Sequence, residues 1–238
     1  MRGPYGLEVT DDCQTCQLRA KGFFCQLPPA ALRDLNAIKF TSAYPKSAVL
    51  FMEKQAPRGI YVLCQGEMKL SVSSSEGKTL ILRIARPGEV LGLMAALAGN
   101  PHEVTAEALH PSQVAFIRRD AFLNFLAKHP EAYPAVVQQL GGHYQVACEQ
   151  LRTVALSGSM QERLAKLLLE FADRGQETKE GTRVAMPLSH EEIGELIGTT
   201  RETVTRTLSE FKSKNLVMIH GSTLLIHNRP ALQSLAAA

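Results

Sequence analysis

The sequence predicts an α+β fold in which a small β-roll is followed by a long helix and a winged helix-turn-helix. Short alternating apolar and polar runs, separated by turn residues, fill the stretch from about residue 43 to residue 118, which is typical of a small antiparallel roll or barrel. Apolar residues at 3-4-3-4-3 spacing then predict one long helix. Two consecutive helices with N-cap signals, a short turn between them and a hairpin after them complete the pattern.

Length and composition indicate a soluble protein of about two domains. The chain has 238 residues, of which 45% are hydrophobic and 21% charged, so a packed core is expected. The formal net charge of +3 says little about a partner, because DNA-binding proteins concentrate positive charge on one face. The N-terminus has no signal-peptide pattern, and no apolar stretch approaches the roughly 18 residues of a membrane span. We therefore expect a cytoplasmic protein without a membrane partner.

The first half of the chain is predicted to form an arm and a β-roll sensor domain. Residues 1–28 form the arm, which contains three cysteines and closes at two prolines, and residues 29–119 form the sensor domain. Turn residues such as Gly66, Gly77 and Gly88 separate the strands. The predicted strands are Gly59–Cys64, Glu67–Val72, Lys78–Ala85, Thr105–Ala108 and Gln113–Arg118.

Residues 120–156 are predicted to form a dimerisation helix and hinge. The 3-4 spacing is that of a coiled-coil seam, so we expect this stripe to face a second copy of the chain. The alternative is that the stripe packs on the chain's own β-domain, but Val136 and Val146 remain to make that contact. The seam residues are Val137, Leu140, Tyr144, Ala147, Leu151 and Val154.

Residues 157–238 are predicted to form a separate winged helix-turn-helix. Met160–Ala172 is an amphipathic helix, and a polar loop from Asp173 to Glu180 follows it. Ser189 and Glu192 have the spacing of a capping box, which opens a short helix ending near Ile197. The remaining elements are a turn at Gly198–Thr200, a second helix from Arg201 to about Asn215 with Thr200 as its N-cap, and a hairpin of Leu216–His220 and Thr223–His227.

The second of these helices has the residues needed to read DNA bases. Val204, Leu208 and Phe211 follow helical spacing and would seat it on the core, while Arg201, Glu202, Thr205 and Arg206 lie on the other side in its first two turns. Arginine can donate two hydrogen bonds to guanine, glutamate can accept from cytosine, and threonine can contact a thymine methyl or a phosphate. The alternative is that these charges only form surface salt bridges. Candidate phosphate contacts are Ser189, Thr199, Thr200, Thr203, Lys212 and Lys214.

The stretch from Ser189 to Arg206 resembles the helix-turn-helix of the CRP/FNR family. The predicted order of parts resembles the family over nearly the whole chain: a cyclic-nucleotide-binding-like β-roll, a long dimerisation helix and a C-terminal winged helix-turn-helix. The resemblance implies a homodimeric transcription regulator that binds double-stranded DNA, and RNA polymerase as a partner if it activates. Because Arg201 stands where the oxygen-sensing branch usually has an apolar residue, it implies a palindrome of TGTGA-type and not TTGAT-type half-sites.

Two other classes of protein are weighed against this interpretation. An enzyme would use Cys25 or Cys148 as its nucleophile, but the sequence contains no ordered Cys-His-acid set, and its seven histidines are scattered. A protein-interaction module is disfavoured by the basic, hydroxyl-rich helix that begins at Arg201. We therefore expect a regulator and not an enzyme.

The family resemblance also bears on the effector. It implies that a cyclic-nucleotide pocket needs a Gly-Glu pair for the ribose and an arginine for the phosphate. The first falls on Gly92-Leu93 and the second on His102 or Glu103. Leu93 cannot bond a ribose and Glu103 would repel a phosphate, so cyclic AMP is disfavoured.

The cysteines provide another candidate sensor. The spacing Cys13-x2-Cys16-x8-Cys25 resembles the N-terminal cluster that holds an oxygen-labile [4Fe–4S] cofactor in the FNR branch. The fourth cysteine of that branch aligns with Ala115, so the fourth ligand here would be Cys64, Cys148, an acidic residue or none. A thiol–disulfide switch, a zinc site and buried thiols without a role remain as alternatives.

Overall fold

A computed structural model describes residues 4–9, 12–14, 16, 24–156 and 158–237. Ser157, which belongs to the predicted hinge, lies outside these residues. The chain divides into two compact units, residues 1–77 with 82–147 and residues 78–81 with 148–238. In the described ranges, no helix has the length and apolar character that crossing a membrane requires.

Eight strands of the described residues form the two sheets of the β-roll, and all of their residues except 79–81 belong to the first unit. The strands are β1 Lys39–Tyr44, β2 Val49–Phe51, β3 Gly59–Gln65, β4 Met68–Ser73, β5 Thr79–Ala85, β6 Val90–Leu91, β7 Thr105–Ala108 and β8 Ser112–Arg118. Their orders are β1-β8-β3-β6 and β2-β7-β4-β5. All five predicted strands are present with ends shifted by one residue or none, whereas β1, β2 and β6 were not predicted. The predicted β-roll is confirmed.

Strand β3 is buried on both faces. Successive side chains of a strand point to opposite faces, so Ile60 and Val62 enter one core while Leu63 enters the other. The first core lies between the sheet β1-β8-β3-β6 and helices α1 (Pro29–Ile38) and α3 (Arg119–Lys128). Because both faces are covered, β3 is an apolar run and not a simple alternation.

The segment 120–156 is not one helix. Helix α3 ends at Lys128, a short 3₁₀ turn covers Pro130–Ala132, and helix α4 runs from Tyr133 to Leu156. Pro130 has no backbone N–H and disfavours helical backbone in the residue before it, which ends α3. Pro134 is tolerated because it stands in the first turn of α4. The short helix α2 covers Leu93–Ala98.

The second unit contains the helix-turn-helix and a four-stranded sheet. Its helices are α5 Met160–Ala172, α6 His190–Ile197, α7 Arg201–Ser213 and α8 Arg229–Ala236, and its strands are β9 Gln176–Thr178, β10 Gly181–Ala185, β11 Val217–His220 and β12 Thr223–Ile226. The sheet order is β11-β12-β10-β9. The predicted α5 and the hairpin of β11 and β12 are confirmed. The predicted polar loop was wrong, because β9 and β10 pair there as a hairpin, and α7 ends two residues before the expected Asn215.

Candidate DNA interface and cysteine pocket

Both helices of the helix-turn-helix begin at the predicted caps. The Ser189 hydroxyl accepts a hydrogen bond from the Glu192 amide, and the Glu192 carboxylate accepts one from the Ser189 amide, which makes a complete capping box. The Thr200 hydroxyl accepts from the Thr203 amide and caps α7. The two caps fix where α6 and α7 start and therefore which side chains occupy the first turns of α7.

The turn between α6 and α7 depends on two glycines. Gly198 has a φ of +69°, a left-handed conformation that favours glycine, and it ends α6. Gly194 has ordinary helical backbone, but a Cβ there would lie 2.8 Å from the Thr199 carbonyl oxygen. The turn can therefore pack against α6 only because residue 194 has no side chain.

Helix α7 buries one face and exposes the other, as the sequence predicts. Val204, Leu208 and Phe211 are buried, and Arg201 and Arg206 are exposed. Among the described residues, no carboxylate lies within 4.0 Å of either guanidinium group. The surface salt bridges considered as the alternative are therefore not formed, and both arginines are available to an external acceptor.

Glu202 and Thr205 are held in place by neighbouring groups. A hydrogen bond from its own backbone amide, followed by one from the Thr200 hydroxyl, lowers the pKa of the Glu202 carboxyl, so it is ionised at neutral pH and can accept from a base. The Thr205 hydroxyl donates to the Arg201 carbonyl oxygen at 2.9 Å and lies 2.8 Å from Nδ1 of His190. Its proton is thus used within the helix, which leaves its methyl group for a base contact.

His190 was not predicted as a site residue. It is the first residue of α6, and its contact with Thr205 places its ring beside the exposed face of α7. The sequence indicates a DNA contact by His190 only weakly, because a polar residue directly after an N-cap is common in helices of any function. We add His190 to the candidate DNA contacts.

The candidate phosphate contacts differ in availability. Lys212 and Lys214 are exposed, and the side chains of Thr199 and Thr203 are half-buried beside the turn. The Ser189 hydroxyl already donates its proton to the Glu192 carboxylate and the Thr200 hydroxyl donates to that of Glu202, so a phosphate would have to replace these acceptors. The two lysines are therefore the stronger phosphate candidates.

The seam predicted on α4 is only partly exposed. Val137, Tyr144 and Leu151, spaced seven residues apart, are 66%, 73% and 69% exposed, and Ala147 is exposed beside them. Leu140, by contrast, packs against the core of its own unit, and Val154 packs beside Gly198. Val146, expected to face the β-roll, is exposed as well, so it does not make the contact predicted for it.

Four of the five cysteines line one apolar pocket. The three arm residues Cys13, Cys16 and Cys25 meet Cys64, which stands at the end of β3. Apolar side chains of α1 and of two neighbouring strands complete the wall: Leu32, Leu35, Val62, Ala115 and Ile117. Cys148 does not line this pocket. The structure thus gathers residues that lie far apart in the sequence.

The arm is fixed to the sensor domain at both ends of the pocket. The Cys13 amide donates to the side-chain oxygen of Asn36 on α1 at 3.1 Å. Phe24 is buried and packs edge-to-face on Phe122 of α3, with ring centroids 5.9 Å apart, which anchors the neighbouring Cys25. These contacts fix the backbone at Cys13 and beside Cys25 against the sensor domain.

Charge in the pocket comes from Lys39 and Asp12. The Lys39 ammonium donates to Sγ of Cys13 at 3.3 Å. Burial raises the pKa of Cys64 to about 12, so this thiol is protonated and a poor nucleophile at neutral pH. A reactive redox thiol needs the opposite shift, so Cys64 does not have the character of an attacking group.

Comparisons with known proteins agree with this architecture. Residues 162–235 match the model of the Crp-like helix-turn-helix domain, and residues 41–129 match that of the cyclic nucleotide-binding domain. The two models together cover more than half of the chain. The chain belongs to the CRP/FNR family. It is therefore a DNA-binding transcription regulator of that family.

Relatives span almost the full length of the chain at low identity. A cAMP-activated global regulator of Mycobacterium tuberculosis is 24% identical over 216 residues, which cover 90% of this chain and 96% of that protein. The transcriptional activatory protein AadR of Rhodopseudomonas palustris is 25% identical over 228 residues, covering 95% and 94%.

Two solved structures share the fold of this CRP/FNR-family chain. FixK2 from Bradyrhizobium japonicum has a TM-score of 0.73 at 24% identity and covers 84% of this chain and 98% of its own. The c-di-GMP-responsive regulator CLP of Xanthomonas campestris has a TM-score of 0.76 at 18% identity and covers 84% and 100%. The named effectors differ between these relatives, so they do not identify the effector of this chain.

Of the positions that the family resemblance assigns to cyclic-nucleotide contacts, Leu93 and His102 are packed and Glu103 is exposed. Leu93 is buried, and His102 is 4% exposed with its ring stacked on Phe51 at 3.9 Å. Burial lowers the pKa of His102, so the ring is neutral and supplies no charge to a phosphate. A Cβ at Gly92 would lie 2.9 Å from this ring, which shows how closely the histidine covers the Gly92-Leu93 position. Glu103 is exposed.

Proposed function

We propose that the chain is a homodimer that binds a palindromic DNA site with TGTGA-type half-sites under control of its N-terminal cysteine arm. The observation that supports this best is the start of α7. Arg201 and Arg206 are exposed there without a carboxylate within 4.0 Å among the described residues, and the ionised Glu202 lies between them. This is the end of a recognition helix that enters the major groove.

The three side chains have the chemistry of direct base readout. Arg201 and Arg206 can each donate two hydrogen bonds to O6 and N7 of a guanine, and Glu202 can accept from N4 of a cytosine. The TGTGA half-site contains two G·C base pairs, so it offers guanines to the arginines and cytosines to the glutamate. A TTGAT half-site has fewer of them.

The exposed stripe on α4 supports dimerisation. Val137, Tyr144 and Leu151 repeat at seven-residue spacing, so they lie along one line of the helix and can pack against α4 of a second copy. Burying one such large side chain contributes about 1.5–3 kcal/mol, so the stripe is an unfavourable surface for a monomer. A twofold dimer would present two recognition helices to two half-sites, which a palindrome requires.

The cysteine pocket supports an iron–sulfur cofactor as the sensor. Thiolates are the protein ligands of such clusters, and Cys13, Cys16 and Cys25 meet in an apolar pocket, so the donor set fits. When bound, an oxygen-labile [4Fe–4S] cluster would supply sensitivity to oxygen. Cys13 also packs against the core that contains Val136 and the partly buried Leu140 of α4. The arm can therefore influence the dimerisation helix through a continuous hydrophobic core.

Cyclic AMP is not the effector in this proposal. The Gly92-Leu93 position offers no carboxylate for a ribose, and the neutral His102 covers it. The alternatives under the same DNA-binding function are another small effector, a thiol switch or constitutive binding.

A binding assay with three palindromes tests the DNA-binding proposal. Fluorescence anisotropy would compare TGTGA-type, TTGAT-type and scrambled sites over a range of salt concentrations, because phosphate contacts make affinity salt-dependent. Arg201→Ala should weaken binding to the TGTGA-type site roughly 5- to 140-fold, since one bidentate contact is worth about 1–3 kcal/mol.

The matched control is Lys212→Ala. It removes an exposed charge near the other end of α7 and should weaken all three sites equally, with a salt slope lower by about 1. A wild-type protein that binds the scrambled palindrome as tightly as the TGTGA-type one would overturn the proposal.

A further inference from the structure

The fourth thiol of the cysteine pocket comes from the β-roll and not from the arm. Side chains of β3 alternate, so Cys64 points to the same face as Ile60 and Val62, toward α1 and the arm. Leu63 points to the other core. The register of β3 against β8 shifts between Leu63 and Gln65, so the regular pairing of the two strands is interrupted at Cys64.

Cys64 lies beside Ala115 on the neighbouring strand. Val62 pairs directly with Ala115, so Cys64 is the next residue of β3 on the same face, at a diagonal distance of roughly 7–8 Å between such positions. Both residues line the cysteine pocket. A sulfur atom at either position would therefore reach the same space.

The thiols border one pocket without converging on a single point. In the part of the chain that the structure describes, no three His, Cys, Asp or Glu side chains lie close enough together to bind one metal ion. The four cysteines nevertheless surround one pocket with apolar walls. A zinc ion needs its ligands gathered around one point, whereas a cluster of four irons offers each thiolate its own iron.

We infer that Cys64 is the fourth cysteine ligand of a [4Fe–4S] cluster whose other ligands are Cys13, Cys16 and Cys25. The inference rests on the proposed cluster function and names the residue that completes the site. On binding, each thiol releases its proton to solvent and its sulfur donates an electron pair to one iron, with no change of oxidation state. Two ferrous ions, two ferric ions and four sulfide ions supplied for assembly sum to a [4Fe–4S]²⁺ core, so no added oxidant is required.

The consequence for regulation is a direct link between the arm and the β-roll. Three ligands belong to the arm and one to β3, so an intact site would tie the arm to the sheet β1-β8-β3-β6. Loss of the cluster would release that tie while the contacts of Cys13 with Asn36 and of Phe24 with Phe122 remain.

Anaerobic reconstitution of the full-length protein with equal amounts of ferrous and ferric iron and with sulfide tests the inference. The wild type should bind about four irons and four sulfides per chain and show the visible absorbance of a cluster. Cys64→Ala should lose most of that iron, sulfide and absorbance. Cys148→Ala is the matched control, and it should keep them because Cys148 does not line the pocket. Circular dichroism checks that both variants are folded.

A second variant relocates the ligand. The double substitution Cys64→Ala with Ala115→Cys should restore iron and sulfide toward the wild-type amounts, because residue 115 lines the same pocket. A fold defect in Cys64→Ala would not be repaired in this way, so the rescue separates ligation from structure.

The outcomes distinguish this inference from the proposed function. If the wild type binds the cluster and Cys64→Ala binds as much, Cys64 is not a ligand while the cluster proposal stands. If the wild type binds no iron, or binds zinc in its place, both the cluster and the role of Cys64 are overturned. Neither result touches the DNA-binding proposal, which the palindrome assay tests separately.

Discussion

Gly194→Ala tests the close approach between α6 and the turn that leads into α7. A Cβ at this position would lie 2.8 Å from the Thr199 carbonyl oxygen, and ordinary contact begins at 3.4 Å, so the turn must move by about 0.6 Å. The obstructing atom belongs to the backbone and cannot rotate away as a flexible side chain would. The amide of Thr199 also donates to the Gly194 carbonyl oxygen at 2.8 Å, so the same movement strains that hydrogen bond.

Two opposing terms determine the size of the effect. Alanine is about 1 kcal/mol more favourable than glycine inside a helix. Overpacking a well-fitted contact costs roughly 1–3 kcal/mol. The net loss in the free energy of unfolding should therefore be about 0–2 kcal/mol. The first turns of α7 should also be displaced, which would lower the binding free energy for DNA by about 1–3 kcal/mol, the contribution of one bidentate base contact.

Gly142→Ala provides the control for helix propensity. Gly142 lies inside α4, and a Cβ there would meet no atom within 4 Å. This substitution should raise the free energy of unfolding by up to about 1 kcal/mol. The difference between the two variants then measures the steric term alone. Urea unfolding followed by circular dichroism gives the free energies, and anisotropy with a TGTGA-type palindrome gives the affinities.

Gly194→Ala would contradict the steric explanation if it were as stable as Gly142→Ala and bound DNA as the wild type does. That result would mean that the turn adjusts to a methyl group without cost. A variant that loses stability but keeps full affinity would show that α7 is positioned by its buried face and not by the turn.

Three further perturbations test other parts of the molecule. Tyr144→Glu should shift the protein from dimer to monomer in sedimentation velocity, because it places a charge in the exposed apolar stripe of α4. The control Gln145→Glu, at an exposed position beside it, should leave the dimer intact. An unchanged mass for Tyr144→Glu would contradict the proposal that this stripe forms the dimer interface. Ser189→Ala should lower the free energy of unfolding by about 1 kcal/mol through loss of the capping box, and Ser189→Asp should retain most of it, so equal losses in both would argue against a capping role. Nε2 of His129 donates a hydrogen bond to the Asp34 carboxylate at 2.7 Å, and this carboxylate, followed by that of Glu131, raises the pKa of the ring above its ordinary 6.5. The stabilisation from the charged ring is complete below pH 6.5 and is lost as the pH rises through the raised value, so wild type and His129→Gln should converge in stability at alkaline pH, and a pH-independent difference would refute this.

The helix-turn-helix could be predicted from sequence because its determinants are local. A capping box needs two residues three positions apart, a left-handed turn needs a glycine, and the seating of α7 needs one helical period. Ser189, Gly198 and Val204 meet these conditions whatever the rest of the chain does. The strands of the β-roll were likewise indicated by their own turn residues.

Elements with weak local patterns were missed or placed wrongly. The hairpin of β9 and β10 consists mostly of polar, exposed residues, and it forms because β10 pairs with β12 across the sequence. Leu140 and Val154 fit the seam by spacing, but packing within their own units removes both from it. Helical spacing indicates which residues share a stripe, and only packing determines what covers them.

The sequence by itself determined the family, the order of the parts and the exposed face of α7 that is proposed to read DNA, because each depends on periodicities and caps within about twenty consecutive positions. Only the tertiary structure decided which cysteines meet. Cys64 and the arm cysteines are joined by the packing of α1 and the arm on one face of a sheet, and Cys148 is left apart from them. The proximity of these cysteines depends on long-range strand pairing and burial, so it cannot be predicted from the local spacing of residues.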